Sequence, residues 1–146
     1  MSYIHVRALD SVHNEFTASA AVLAHAARVW HELSREPELD GVRHVDLRRA
    51  VDNLEATYII RLFAEYETIL QDHLSAHHSG IRIPRTAEAL INRVALRERL
   101  PDPIREAAQS VREYRNALVH RRIAPVPSRS LREVLAALNR FLARLP

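Results

Sequence analysis

Apolar residues recur along this chain at a spacing close to 3.6, the period of an α-helix, and almost no segment alternates apolar and polar residues as a half-buried strand does. The stripe of the first predicted helix includes Trp30, which we expect in the core. The chain has 146 residues, of which 47% are hydrophobic, and this is enough for one core. The sequence therefore predicts an all-α, single-domain helical bundle over residues 1–146, with about five helices.

Candidate N-caps and chain-breaking prolines place the starts of five helices near Asp10, Asp46, Thr86, Asp102 and Ser128. The first helix is expected to end at Leu33 and the second at about His77. The fourth should end just past His120, and the fifth near Leu145.

Charge is distributed unevenly along the chain. Residues 1–80 carry 7 Arg and 12 Asp or Glu, a net charge of −5, whereas residues 81–146 carry 14 Arg and 6 Asp or Glu, a net charge of +8. Every basic residue is Arg, which binds phosphate through paired hydrogen bonds, although a coding bias toward Arg explains the composition equally well. The second half is therefore the candidate anion-binding half.

The composition also excludes several classes of function. The chain has no Cys, so it forms no disulfide, no Cys-based zinc site and no thiol nucleophile, and its chemistry must use His, carboxylates or hydroxyls. No apolar segment has the length of a signal peptide or a bilayer span. We expect a cytoplasmic protein with no membrane partner.

Polar residues cluster near the end of the fourth predicted helix, in the stretch Arg115–His120. At 100° per residue, Asn116 and His120 project from nearly the same side, and Arg115 lies about 140° from His120, so Arg115 and His120 can flank a groove. A His can exchange protons near neutral pH, a guanidinium can stabilise a charged phosphoryl group, and an amide can orient either. These groups suit metal-free RNA cleavage, but an Arg and a His on an amphipathic helix usually form a solvated face, so the residues alone do not decide the function.

The stretch Arg115–His120 resembles the R-x4-6-H signature of the HEPN superfamily (higher eukaryotes and prokaryotes nucleotide-binding). The segment 63–70 resembles the long second helix of that family, with Glu67 at its recurrent acidic position. Helix count, helix order and domain size agree over nearly the whole chain. One position departs from a subset of the family, because Arg122 stands where that subset carries a Tyr that a nucleotidyltransferase modifies.

The resemblance implies a homodimer in which Arg115 and His120 of both chains line one composite cleft. Many members are metal-independent endoribonucleases of toxin, antiphage or RNA-processing systems, so the implied substrate is RNA, with no cofactor and with a cognate antitoxin protein as a further partner. His120 would transfer protons, Arg115 would stabilise the phosphorane, and Asn116 would position one of them, with Glu67 in support. The residues implied to bind RNA phosphates are Arg112, Arg121 and Arg122.

Two alternatives accompany this interpretation. Other HEPN members are non-catalytic modules that bind a nucleotide or a partner protein, and the intact Arg, Asn and His favour the ribonuclease. His73 and His77, four residues apart and next to Asp72, have the spacing of two zinc ligands on one helical face. No third ligand is evident, and helix-end histidines, including His78, are more often partners of the helix dipole or solvated polar residues, so no metal site is predicted.

Overall fold

The longest helix, α3 (His44–His77), packs against four other helices and forms the centre of the fold. The structure is a computed structural model that describes residues 2–78, 80, 82–120 and 126–146, with side chains described from residue 7 onward. Within these residues it contains helices and no strand, which confirms the predicted all-α bundle. The other helices are α1 (Ser2–Arg28), α2 (Trp30–Leu33), α4 (Ala87–Arg97), α5 (Asp102–His120) and α6 (Leu131–Leu142), and a 3-10 turn spans Pro37–Leu39.

One hydrophobic core collects side chains from α1, α3, α4, α5 and α6. Its largest members are aromatic: the ring centroid of Tyr66 lies 5.7 Å from those of Phe63 and Phe141, and all three residues are fully buried. The prediction that Trp30 belongs to this core is wrong. Because α1 ends at Arg28, Trp30 lies in the separate helix α2, where it is half-buried and stacks on His44 at 6.0 Å.

The predicted starts of the first two helices need correction. α1 begins at Ser2, so Asp10 lies inside the helix and does not cap it. α3 begins at His44 with Arg43 at the N-cap position, and Asp46 accepts hydrogen bonds of 2.7 and 2.9 Å from the Arg43 guanidinium. The helix dipole favours a carboxylate in the first turn as well as at the cap, which is why Asp46 marks the start of α3 without capping it.

The later helix boundaries agree better with the sequence. Thr86 caps α4 by accepting a 3.3 Å hydrogen bond from the amide of Ala89, and α5 begins at Asp102 as predicted. The last helix begins later than expected, because its N-cap is Ser130, which forms a capping box with Glu133. No helix among the described residues is long and apolar enough to span a membrane.

Candidate functional site

The Arg115 side chain is held on three sides. Its guanidinium donates a 2.7 Å hydrogen bond to Oε2 of Glu67 and a 3.1 Å hydrogen bond to Oδ1 of Asn116. Its central carbon lies 4.6 Å from the centroid of the Phe63 ring, within the range of a cation–π contact. Only 22% of the Arg115 side chain and 24% of the Glu67 side chain are exposed, so the ion pair is largely shielded from water.

Helical spacing explains this arrangement. The buried face of α5 includes Val111, and Arg115 follows it by one turn, so Arg115 lies at the edge of the apolar face. On α3, Phe63 and Glu67 are likewise one turn apart on the side that faces α5. The Phe63 ring lies in the core and Glu67 supplies a carboxylate one turn further along α3. Together they position the Arg115 guanidinium where α3 and α5 meet.

A cleft of about 340 Å³ lies next to this ion pair, between α3, α5 and the start of α4. Arg112 lies three residues before Arg115 on α5, and its guanidinium is 3.8 Å from the Glu88 carboxylate. The Nε of Arg112 also donates a 2.6 Å hydrogen bond to Oε1 of Gln109. Two guanidinium groups therefore reach one cleft, each with a carboxylate beside it. The cleft is lined by Glu67, Thr86, Ala87, Glu88, Arg112, Arg115 and Asn116.

Asn116 is the third side chain that α5 contributes to the cleft. Its Oδ1 accepts the hydrogen bond from Arg115, while its NH₂ group has no hydrogen-bond partner among the described residues. An amide and two guanidinium groups are all hydrogen-bond donors, and guanidinium groups pair well with phosphate or carboxylate oxygens. The α5 side of the cleft is therefore suited to an anionic ligand.

His120 is the last residue of α5 and is exposed. Within the described part of the chain it forms no hydrogen bond or ion pair, and it does not line the cleft that contains Arg115 and Asn116. The structure thus brings together four of the predicted site residues and leaves His120 apart from them; the four are Glu67, Arg112, Arg115 and Asn116. The predicted phosphate ligands Arg121 and Arg122 lie outside the described residues.

A second groove, of about 350 Å³, is formed by the segment that leads into α4 and by α4 itself. Arg82, Arg85 and Arg93 line it, and all three are exposed. Among the described residues none of them forms an ion pair, so their charges are available to an anion. No sequence motif pointed to these arginines, although the positive charge of residues 81–146 was a signal that could have found them.

A cluster of histidines lies at the C-terminal end of α3. His73 is buried, and its Nε2 lies 2.8 Å from Oε1 of Glu98, while Nε2 of His78 lies 3.0 Å from the same oxygen. Burial acts to raise the pKa of Glu98, but the hydrogen bonds from His73 and His78 outweigh it and hold that pKa below its ordinary value. Sequence reasoning missed Glu98, which follows the end of α4 and is 25 residues from His73.

The expectation that these histidines are solvated helix-end residues is wrong for His73. Its side chain is only 1% exposed, because it faces the end of α4 and not the solvent. His77, which the sequence paired with His73, is exposed and directs Nδ1 to the carbonyl oxygen of His73 at 3.1 Å. The pair that converges on a shared acceptor is His73 and His78.

No protein-family model, curated protein or solved structure matches this chain.

Proposed function

We propose that this chain is a metal-independent endoribonuclease of the HEPN type that acts as a homodimer. The observation that carries the proposal is the fixed guanidinium of Arg115, which faces a cleft while an acid–base group, His120, stands exposed at the end of the same helix. A preorganised cation and an imidazole are the two groups that metal-free cleavage of RNA requires.

The chemistry follows from these two side chains. One imidazole removes the proton of a ribose 2′-OH, whose oxygen attacks the adjacent phosphorus. The bond from phosphorus to the 5′ oxygen breaks, and a second imidazole donates a proton to that leaving oxygen. Arg115 stabilises the charge of the phosphorane. Because the 2′ oxygen attacks and the 5′ oxygen leaves, the products are a 2′,3′-cyclic phosphate and a 5′-hydroxyl.

Two protons move, and each chain contributes one His120. This is the reason for proposing a dimer, with the His120 of a second copy as the other acid–base group. The end of α5 is suited to such a contact, because the apolar side chain of Val119 is 45% exposed directly beside His120.

The substrate class follows from charge and chemistry. Arg82, Arg85 and Arg93 line a groove beside the start of α4, and residues 86–88 of the same segment line the Arg115 cleft. A polyanion that enters the cleft can therefore continue along the arginine groove. Attack by a 2′-OH restricts the substrate to RNA. A cytoplasmic toxin or antiphage setting, with a cognate antitoxin as partner, is part of the same proposal.

One observation favours a second candidate, a non-catalytic module that binds a nucleotide or a partner protein. The charge of Arg115 is already balanced by Glu67, and a paired guanidinium has a purely structural explanation. In that case the cleft would bind a ligand without cleaving it.

The test compares RNA cleavage by the purified chain and by His120→Ala, with His25→Ala as a matched control that removes an exposed histidine of α1. We expect the His120 variant to lose about 10²-fold to 10⁴-fold in turnover and the control to retain full activity. A substrate with 2′-deoxyribose at the cleavage site should be inert, and the product should carry a cyclic phosphate. Equal cleavage by both variants would refute the catalytic role of His120. No cleavage, alongside nucleotide binding that Arg115→Ala abolishes, would favour the binding module.

A further inference from the structure

The histidine cluster at the end of α3 has the composition of a metal site. His73 and His78 supply two imidazoles, and Glu98 supplies a carboxylate. One candidate ligand atom from each residue lies within 4.8 Å of the other two. None of these residues belongs to the Arg115 cleft, so the inference is independent of the proposed ribonuclease.

Two of the three separations between candidate ligand atoms are close to what zinc requires. Zinc bonds of about 2.0–2.1 Å in a tetrahedral arrangement place neighbouring ligand atoms about 3.3 Å apart. The two Nε2 atoms lie 2.8 and 3.0 Å from Oε1 of Glu98. Binding would therefore widen these two separations by roughly 0.3–0.5 Å. The ligand atoms of the two imidazoles lie within 4.8 Å of each other, and side-chain rotation would have to bring that third separation to about 3.3 Å as well.

The surroundings distinguish this cluster from a chance meeting of surface groups. The exposed fraction of the side chain is 1% for His73, 21% for His78 and 14% for Glu98. The three side chains are thus held by packing, yet the cluster retains a path to solvent through His78. Preorganised ligands of this kind lose little freedom when a metal binds.

We propose that His73, His78 and Glu98 bind a divalent transition metal, with zinc as the best fit. Two neutral imidazoles and one carboxylate are a common set of three zinc ligands, and the fourth position would be taken by water. The metal would join the end of α3 to the end of α4.

The test uses the full chain without a polyhistidine tag. After treatment with a chelator and exchange into buffer, the chain is titrated with Zn²⁺, and bound metal is counted by mass spectrometry. We expect one zinc per chain and a rise of several degrees in melting temperature, with no such rise for Mg²⁺. Co²⁺ in place of Zn²⁺ should give the visible absorption of a tetrahedral site.

Three variants locate the site. Glu98→Gln preserves the size of the side chain and His78→Ala removes the most exposed ligand, and each should weaken zinc affinity at least tenfold. His77→Ala is the matched control, because it removes an exposed histidine next to the cluster, and it should bind within about twofold of the parent chain. If Glu98→Gln fails to fold, the zinc affinity of His78→Ala alone still shows whether the metal binds at this cluster.

The proposal is overturned if the parent chain binds no more zinc than His78→Ala does. It is also overturned if His77→Ala loses as much affinity as the ligand variants. The first result would make the cluster a set of hydrogen bonds between the two helix ends, and the second would place His77 among the metal ligands in disagreement with the proposed set.

Discussion

Replacing Glu67 and Arg115 with Ala, singly and together, measures how firmly the protein holds the guanidinium in its cleft. Hydrogen bonds to charged groups contribute about 1.5–3 kcal/mol when shielded, whereas exposed ion pairs contribute about 0.2–1 kcal/mol. Since 22% and 24% of the two side chains are exposed, we expect a coupling energy of about 1.5 kcal/mol. Arg115→Ala should destabilise more than Glu67→Ala by about 0.5–1 kcal/mol, because it also removes the contact with Phe63.

The assay is urea unfolding of the parent chain, the two single variants and the double variant. A second cycle on Arg61 and Glu15 is the matched control, because this Arg–Glu pair joins α3 to α1 with 52% and 46% of its side chains exposed. Its coupling should be about 0.5 kcal/mol and should shrink further in roughly 0.5 M salt. Equal coupling in the two cycles, or loss of the Arg115 coupling in salt, would refute the view that burial anchors this guanidinium.

The same variants separate anchoring from catalysis. If the chain cleaves RNA, Glu67→Ala should lower kcat by about 10-fold to 100-fold with a smaller change in KM, since Arg115 remains present but is no longer oriented. A change in KM alone would indicate that Glu67 acts on substrate binding and not on the transition state.

Three further outcomes are expected. Burial raises the pKa of Tyr66, so this side chain stays neutral in the folded protein while it ionises above about pH 10 in the unfolded chain. The free energy of unfolding therefore falls as pH rises above that value, and Tyr66→Phe should reduce the slope of this fall by about 1.4 kcal/mol per pH unit, measured by unfolding at alkaline pH. Ser130→Ala should cost about 1 kcal/mol in urea unfolding, because it removes the side-chain cap of α6. Arg85→Ala should reduce the slope of log affinity for RNA against log salt by about one, whereas a change in affinity with no change in slope would place Arg85 away from the phosphates.

The sequence predicted those features of the fold that depend on neighbouring residues. Thr86 caps α4 and Asp102 begins α5, because a hydroxyl before a helix and a proline in its first turn act over one turn of chain. Trp30 was misplaced because its burial depends on where α1 ends, and no proline or glycine marks the interruption at Val29. Local signals locate a helix end where a capping hydroxyl or a proline is present, whereas burial depends on packing between helices.

The residues of the candidate site also fall into those that the sequence indicated and those that it did not. Helical spacing indicated that Arg115 can flank a groove, but the contact with Glu67 joins residues 48 positions apart, and only a family resemblance drew attention to Glu67. Glu98 gave no signal at all, since a lone carboxylate near a helix end is common. A spacing rule finds ligands on one helix, and it cannot find a ligand that a second helix supplies.

Treatment with a chelator connects the two proposals, because α3 contributes both Glu67 and His73. These residues are six positions apart, about 9 Å along the helix axis, so removing a metal at His73 need not disturb Arg115. We expect a chelator to lower the melting temperature while leaving RNA cleavage intact well below that temperature, since Arg115 and His120 do the chemistry without a Lewis acid. If the chelator abolishes cleavage, His78→Ala identifies the cause. If His78→Ala loses the same cleavage activity without any chelator, the metal at the end of α3 supports the fold of the active chain. If His78→Ala is fully active and the chelator still abolishes its activity, a metal takes part in cleavage and the proposed mechanism is wrong.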